Sequence, residues 1–256
     1  MFSGLAGLAF AALFVTALVL IRQAPGLDVP DSTYAAFYSV GRGNVLVTAG
    51  LHIVPFAGIA FMWHMSATRT LIEGMPGAPS EMPRWLQLGS GIAFVCLLFT
   101  GTAAVGGVAL LTVFSSAPLP PPAVARTLTS VGYGMVFVFG VRAAGMFIIA
   151  TTTLLRSRRL LPRWLAVVSY VAAAFLLVST TYHPAVLLVL PGWVTAVSVA
   201  LATHSIRKAS PLATPVQPPT TPDVPSGDSR RSRRHASPTP PPLPPQETSH
   251  EHDHQP

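Results

Sequence analysis

Six long apolar stretches alternate with short polar segments along this chain, and none of the six contains an Asp or a Glu. They lie at about 2–22, 44–66, 86–114, 128–155, 164–183 and 185–204. Each has roughly the 20 residues that an apolar helix needs to cross the hydrocarbon of a bilayer. Because that region holds no water, a spanning helix must satisfy its own backbone polar groups. The sequence therefore predicts an all-α, polytopic membrane helix bundle of six transmembrane helices within residues 1–208.

The distribution of charge agrees with this class and predicts the orientation. Only 10% of the 256 residues are charged, whereas soluble proteins average about 25%. Arginines collect after the second, fourth and sixth stretches, so we predict that these segments and both termini are cytoplasmic in a bacterial plasma membrane. The net charge of +7 favours contact with anionic headgroups of the lipid bilayer over nucleic acid. A cleaved signal peptide is the alternative for the first stretch, but no basic residue precedes its apolar core.

The string PRWL occurs at residues 83–86 and again at residues 162–165. Each copy opens an apolar stretch that enters the membrane from the predicted cytoplasmic side. Pro suits the first turn of a helix, Arg reaches anionic headgroups and Trp prefers the interface. We therefore predict that Arg84, Trp85, Arg163 and Trp164 are membrane-interface anchors. Convergent anchoring and duplication of a two-helix unit both remain open as origins of the repeat.

Arg142 lies near the middle of the fourth stretch, roughly 18–20 Å from either end at about 1.5 Å per residue. A charge at that depth costs at least about 2.5–3.5 kcal/mol, and no carboxylate in any stretch can pair with it. Pro55 should free a backbone carbonyl next to His52 in the second stretch. One interpretation is an anion or headgroup site formed by Arg142 with His52, Pro55 and Tyr133. The other is a structural Arg bonded to carbonyls and water.

The sequence gives no indication of catalysis. It contains no HExxH, GxSxG or P-loop motif. His52 and His64 are twelve residues apart and point to different faces of a helix, so they cannot share one haem iron. The lone Cys96 cannot form an intrachain disulfide. We therefore predict that the protein is not an enzyme and holds no cofactor.

Composition changes at about residue 209, and half of the 26 prolines lie beyond it. Such a segment cannot bury enough apolar surface to order itself, so residues 209–256 are predicted to form a disordered cytoplasmic tail. The string PPPLPP at 240–245 favours polyproline II, which a protein partner could bind. The string RRSRR at 230–234 favours anionic lipid. His250, His252 and His254 are candidate metal ligands, although no spacing among them defines a site.

Five strings carry a family resemblance: PFAGIAFMW (55–63), GSGIAFVCLLF (89–99), VRAAGMFIIATTTL (141–154), LPRWLAVVSYV (161–171) and LPGWVTAVSV (190–199). Together they resemble a family of uncharacterised actinobacterial multi-spanning integral membrane proteins. The resemblance implies an intramembrane Arg, here Arg142, and a PRW string, here residues 162–164. The chain departs from the family at His64 and in its long tail. Because no activity is implied, two function classes remain open. One is a non-enzymatic accessory or scaffold protein, and the other is a small transporter or binder of an anion or lipid headgroup around Arg142.

Overall fold

The computed structural model of the chain describes residues 2–39, 42–75, 81–116, 118–179 and 183–209, and the regular elements among these residues are all helical. The predicted tail lies outside the described residues, apart from its first residue. Its proline motif, its arginine string and its three histidines lie outside them as well.

Two helical elements in this part of the chain are not α-helices. The α-helices are α1 (Phe2–Ile21), α2 (Asp31–Ser39), α3 (Arg42–Glu73), α4 (Glu81–Val105), α5 (Gly107–Phe114), α6 (Pro122–Tyr133), α7 (Val141–Ser157), α8 (Arg163–Val178) and α9 (Val189–Ala209). A π-helical segment, Gly134–Gly140, joins α6 to α7. A 3₁₀ turn, Pro184–Leu188, precedes α9.

Five of the helical segments are long and apolar enough to span a membrane. They are Gly4–Ile21, Val45–Glu73, Glu81–Val105, Pro122–Ser157 and Pro184–Thr203. The predicted all-helical fold is therefore confirmed, and five long apolar helices are compatible with the predicted multi-spanning architecture. The fifth predicted stretch, 164–183, is not among the five, because its helix, α8, has only 16 residues and measures about 24 Å. That is shorter than the hydrocarbon thickness of about 30 Å.

The third predicted stretch, 86–114, is also not one helix. Helix α4 ends at Val105 and α5 begins at Gly107, with Gly106 at φ −89° and ψ 2° between them. An ideal Cβ on Gly106 would lie 2.1 Å from Cδ1 of Leu51 in α3. The side chain of Leu51 thus packs directly on the backbone at the break, and a larger residue there would have to displace it. The fourth stretch, predicted at 128–155, begins earlier, at Pro122, and contains the π segment.

Close helix contacts fix which ends of the helices lie together. Ideal Cβ atoms on Gly7 and Gly50 would lie 2.8 Å from Nδ1 of His64 and 3.0 Å from Cβ of Leu20, so α1 and α3 run antiparallel. An ideal Cβ on Gly4 would lie 3.9 Å from Cβ of Ala202, so α9 ends where α1 begins. We call this end of the bundle, where α7 ends and α8 begins, the basic end. The opposite end is called the cap end.

An aromatic cluster joins the helices in the core. Phe61 is fully buried, and its ring centroid lies 5.0 Å from that of Phe10 and 4.9 Å from that of Phe147. Phe147 in turn makes an edge contact with Trp193 of α9, with centroids 6.1 Å apart. Such aromatic pairs stabilise a core beyond the area that they bury. The cluster therefore ties α1, α3, α7 and α9 into one bundle.

Ser169 supplies the hydrogen-bond acceptor for the buried indole of Trp193. The indole Nε1–H of Trp193 donates to Oγ of Ser169 over 2.8 Å, and both residues are buried. We expect Ser169→Ala to lower the free energy of unfolding by about 1–3 kcal/mol, because the indole N–H loses its acceptor. Thermal unfolding in detergent measures this. The control is Ser90→Ala, because the Ser90 hydroxyl bonds only carbonyls of its own helix. Equal melting temperatures for the two variants would contradict the assignment.

Candidate functional site

Residues 22–39, α5 and the first half of α6 form a small cluster at the cap end, which we call the tyrosine cap. Arg126 holds it together, because its guanidinium donates to the carbonyl of Val29 over 2.5 Å and pairs with Asp31 at 2.7 Å. The guanidinium also lies 5.4 Å from the ring centroid of Tyr34. Burial raises the pKa of Tyr38 to about 12, so this phenol stays neutral. The sequence analysis did not predict helix α2 or this cluster.

A cavity of about 120 Å³ lies beside the last turns of α1. Helices α1, α3 and α4 form its walls together with the end of α6, the π segment and the 3₁₀ turn. Apart from Arg22, Thr102 and Tyr133, the lining residues are apolar: Phe14, Ala17, Leu18, Ile21, Val54, Ala57, Leu98, Val105, Val136, Phe137, Pro184 and Leu187. We call this volume the α1 cavity. It is an apolar space with a few polar groups, which is the usual character of a small-molecule site.

Arg22 supplies the only charge among the lining residues. Its side chain is exposed and follows directly on the last turn of α1. Its charge interacts electrostatically with the phenol of Tyr133, and no hydrogen bond or ion pair among the described residues occupies its guanidinium. The hydroxyl of Thr102, by contrast, donates to the carbonyl of Leu98 in its own helix over 2.6 Å. The α1 cavity therefore offers a cation and a hydroxyl to a polar group that enters it.

The π segment shapes one wall of the α1 cavity. The backbone N–H of Val141 donates to the carbonyl of Val136, five residues earlier, which is the π-helical pattern. Tyr133 and Phe137, on successive turns, make an edge contact with ring centroids 5.7 Å apart, and both line the cavity. Short π segments inside α-helices occur frequently at functional sites.

A glycine crossing brings this wall against α4. An ideal Cβ on Gly132 would lie 2.5 Å from the carbonyl oxygen of Gly101 and 2.9 Å from the backbone N of Val105. The two backbones therefore touch, as at the small-residue interfaces of membrane helices. This crossing sets the distance between Tyr133 and Thr102 across the cavity.

Arg142 lies outside the α1 cavity. It is half-buried, and its Nη1 donates to the carbonyl of Val138, in the π segment, over 2.5 Å. An ideal Cβ on Gly145, about one turn along α7, would lie 3.1 Å from the carbonyl oxygen of Ala173. This register places Arg142 near the level at which α8 ends, at Val178. The last carbonyls of a helix lack intrahelical partners and carry partial negative charge, which favours a nearby cation.

His52 and Pro55 lie on the outer surface of α3. Both are exposed, and Nδ1 of His52 lies 2.8 Å from the carbonyl oxygen of Thr48 in its own helix. They line a separate depression of about 450 Å³. Its wall towards the α1 cavity consists of Val54 and Thr102, which line both. Of the four residues predicted to share a site, His52 and Pro55 therefore lie together in this depression, Tyr133 lines the α1 cavity, and Arg142 lines neither.

The predicted interface anchors lie at the basic end. Trp85 and Trp164 are 70% and 66% exposed, as is expected of aromatic side chains that meet the bilayer interface. Arg84 pairs with Glu73 at 2.6 Å, whereas Arg163 is exposed at the start of α8. Arg22 was not among the site residues predicted from the sequence. Its position directly after an apolar stretch, on the side with few basic residues, was the available signal.

Comparison with known proteins does not assign a family to this chain. No family model matches it, and neither a curated protein nor a solved structure is significantly similar to it. The resemblance to actinobacterial membrane proteins therefore stays a prediction. Within the described residues, no three His, Cys, Asp or Glu side chains are grouped so that they could hold a metal ion. Function must therefore be inferred from the arrangement of residues around the α1 cavity.

Proposed function

We propose that this protein binds a single-chain amphiphile with an anionic head group, and that it does so without catalysis. The acyl chain of the amphiphile occupies the α1 cavity, and its head group contacts Arg22. The observation that carries the proposal is an apolar cavity with an exposed arginine and a tyrosine hydroxyl in its lining. Binding sites of this kind combine apolar walls with a few polar groups that fix the orientation of the ligand.

The volume of the cavity limits the apolar part of the ligand. Its volume of about 120 Å³ is several times the roughly 10–15 Å³ that a cavity needs to hold one water. This space suits a segment of one acyl chain. The hydrocarbon of the bilayer is as apolar as the walls of the cavity. Moving the acyl chain of the ligand from the bilayer into the cavity therefore contributes little hydrophobic free energy. The head group must therefore supply most of the selectivity.

Arg22 and Tyr133 are suited to a carboxylate or phosphate head. A guanidinium donates two parallel hydrogen bonds to such a group, and the pair is stronger than neutral hydrogen bonds. Arg22 lies directly after the spanning segment Gly4–Ile21. A head group at that position would lie at the membrane boundary while its chain extends inward beside Phe14 and Ala17. A long-chain fatty acid is the simplest ligand with this chemistry.

We further propose that the polypeptide crosses a bacterial membrane six times, with the basic end in the cytoplasm. Pro184 and Leu187 line the α1 cavity, as Arg22 does, whereas Arg163 lies at the basic end. The polypeptide from Arg163 to Pro184 therefore joins the two ends of the bundle. This supports α8 as a short sixth crossing. The adjacent positions of Gly4 and Ala202 support an even number of crossings. The excess of arginines at the basic end then places the α1 cavity in the outer leaflet.

Arg142 and the tail, which the sequence singled out, have other roles in this proposal. We propose that Arg142 stabilises the π segment, because its guanidinium donates a hydrogen bond to the carbonyl of Val138 in that segment. An accessory role of the tail, residues 209–256, remains compatible with ligand binding by the bundle. Deletion of residues 210–256 separates the two functions. Binding of fatty acid should survive the deletion, whereas binding of a protein partner should not.

A cavity-filling variant tests the proposal. Ala57 is fully buried and lines the α1 cavity, so Ala57→Phe should occupy the volume that the chain needs. We expect full-length protein in nanodiscs to bind a long-chain fatty acid, and we expect Ala57→Phe to lose about tenfold or more in affinity. Native mass spectrometry or calorimetry measures this.

The control for this experiment is Val167→Phe, which adds the same ring on the exposed face of α8. It should bind as the wild type does. If Ala57→Phe fails to fold, the smaller Ala17→Leu tests the same cavity. Wild-type affinity in a folded cavity-filling variant would rule out the α1 cavity as the binding site.

A further inference from the structure

The turn between α7 and α8 carries four arginines in eight residues: Arg156, Arg158, Arg159 and Arg163. Three of them are exposed, and Arg158 is half-buried. No Asp or Glu occurs in the sequence between Glu81 and Asp223. The turn therefore has no acidic neighbour in sequence on either helix that it joins.

The turn has a fixed geometry. The N–H of Leu160 donates to the carbonyl of Leu155 over 3.0 Å, and the N–H of Arg159 donates to the carbonyl of Arg156 over 2.9 Å. These two bonds form a Schellman motif, which normally has glycine in the left-handed position. Here Arg159 occupies that position, with φ 55°. Leu155 and Leu160 are both buried, so the turn is held against the bundle.

Two other arginines at the basic end, Arg69 and Arg84, are paired with a carboxylate. The carboxylate of Glu73 accepts from Nε of Arg69 over 2.8 Å and from Nη2 of Arg84 over 2.6 Å. The same end of the bundle thus presents two arginines that share one acid and, at the α7–α8 turn, three exposed arginines that are far in sequence from any Asp or Glu. This difference gives the turn a local positive charge that the α3–α4 connection lacks.

We propose that the α7–α8 turn binds the phosphate headgroup of an anionic phospholipid. Arginine suits this ligand because its planar fork donates in pairs to phosphate oxygens. Trp164, which follows Arg163, is exposed. Because exposed Trp side chains prefer the membrane interface, we place the neighbouring arginines at the level of the lipid headgroups. A left-handed arginine in place of glycine places one more cation in the turn at the expense of backbone strain. This site lies at the opposite end from the α1 cavity and does not depend on it.

The test compares phosphatidylglycerol with phosphatidylcholine. Full-length protein in nanodiscs of mixed composition is analysed by native mass spectrometry for the lipids that stay bound. A triple variant carries Arg156→Gln, Arg159→Gln and Arg163→Gln. We expect its preference for phosphatidylglycerol to fall about tenfold or more. The charge-neutral pair Glu73→Gln with Arg84→Gln, at the same end, should keep the preference, and an equal loss in both variants would overturn the proposal.

Two further variants distinguish a headgroup site from general attraction and from a structural role. Replacing the same three arginines by Lys keeps the charge but removes the paired donors, so we expect a loss of several-fold. Full preference in the Lys variant would overturn the headgroup assignment. Arg159→Gly should unfold at higher temperature yet bind phosphatidylglycerol less well, because it relieves strain and removes a donor. Unchanged lipid preference in Arg159→Gly, or equal binding of inorganic phosphate without lipid, would also overturn it.

Discussion

Arg22→Gln should weaken the binding of a long-chain fatty acid about tenfold or more, because a hydrogen bond to a charged group contributes about 1.5–3 kcal/mol. The apolar walls remain in this variant, so a fatty alcohol with the same chain should bind wild type and variant equally. Salt should weaken binding to the wild type more than binding to the variant, since only the wild type retains the charge pair. Calorimetry with full-length protein at two salt concentrations measures all three effects.

Arg163→Gln is the matched control, because it removes an exposed arginine from the basic end without touching the cavity. Its affinity for the fatty acid should equal that of the wild type. If Arg22→Gln bound the fatty acid as tightly as Arg163→Gln, the assignment of Arg22 to the head group would be wrong. If both variants lost affinity equally, the effect of Arg22 would be one of overall charge.

Gly132→Ala should destabilise the bundle by about 3 kcal/mol, near the upper end of the usual range for overpacking. Its new Cβ would lie 2.5 Å from the carbonyl oxygen of Gly101, and backbone atoms cannot move aside as a flexible side chain can. The widened crossing would also separate Tyr133 from Thr102 and so weaken ligand binding. Unfolding in detergent measures the stability, and calorimetry measures the binding.

Gly134→Ala, two residues later, is the control for this prediction. Nothing lies within 4 Å of an ideal Cβ on Gly134, so this substitution should cost little or should stabilise by reducing the entropy of the unfolded chain. Equal melting temperatures for Gly132→Ala and Gly134→Ala would show that the two helices do not cross at Gly132.

The sequence predicted those features that depend on local composition. A long apolar run without acids forms a helix in a membrane whatever its neighbours are, so the spanning segments were predictable. The arginines likewise distinguished the basic end from the cap end, because most of them follow the second, fourth and sixth apolar stretches. Arg142 was correctly located inside a helix, although its bond to Val138 depends on a π segment that the pattern of apolar residues does not reveal.

The features that the sequence did not reveal depend on contacts between distant residues. The break at Gly106 depends on Leu51 of another helix, and the apolar residues on either side of Gly106 are equally compatible with one continuous helix. Helix α2 is held by Arg126, which lies 97 residues beyond its partner Val29. The α1 cavity is a space between six elements, so no single segment carries a signal for it. Arg22 acquires its role only from its place in the lining of this cavity.

Photo-crosslinking tests the central claim most directly. Full-length protein in nanodiscs is irradiated with a photoreactive long-chain fatty acid, and the labelled residues are identified by mass spectrometry. We expect labels on residues 14–22 and on the π segment, and we expect excess unlabelled fatty acid to remove them. Labels confined to lipid-facing side chains such as Phe56 and Val167, or labels that unlabelled fatty acid does not reduce, would contradict a fatty-acid site in the α1 cavity.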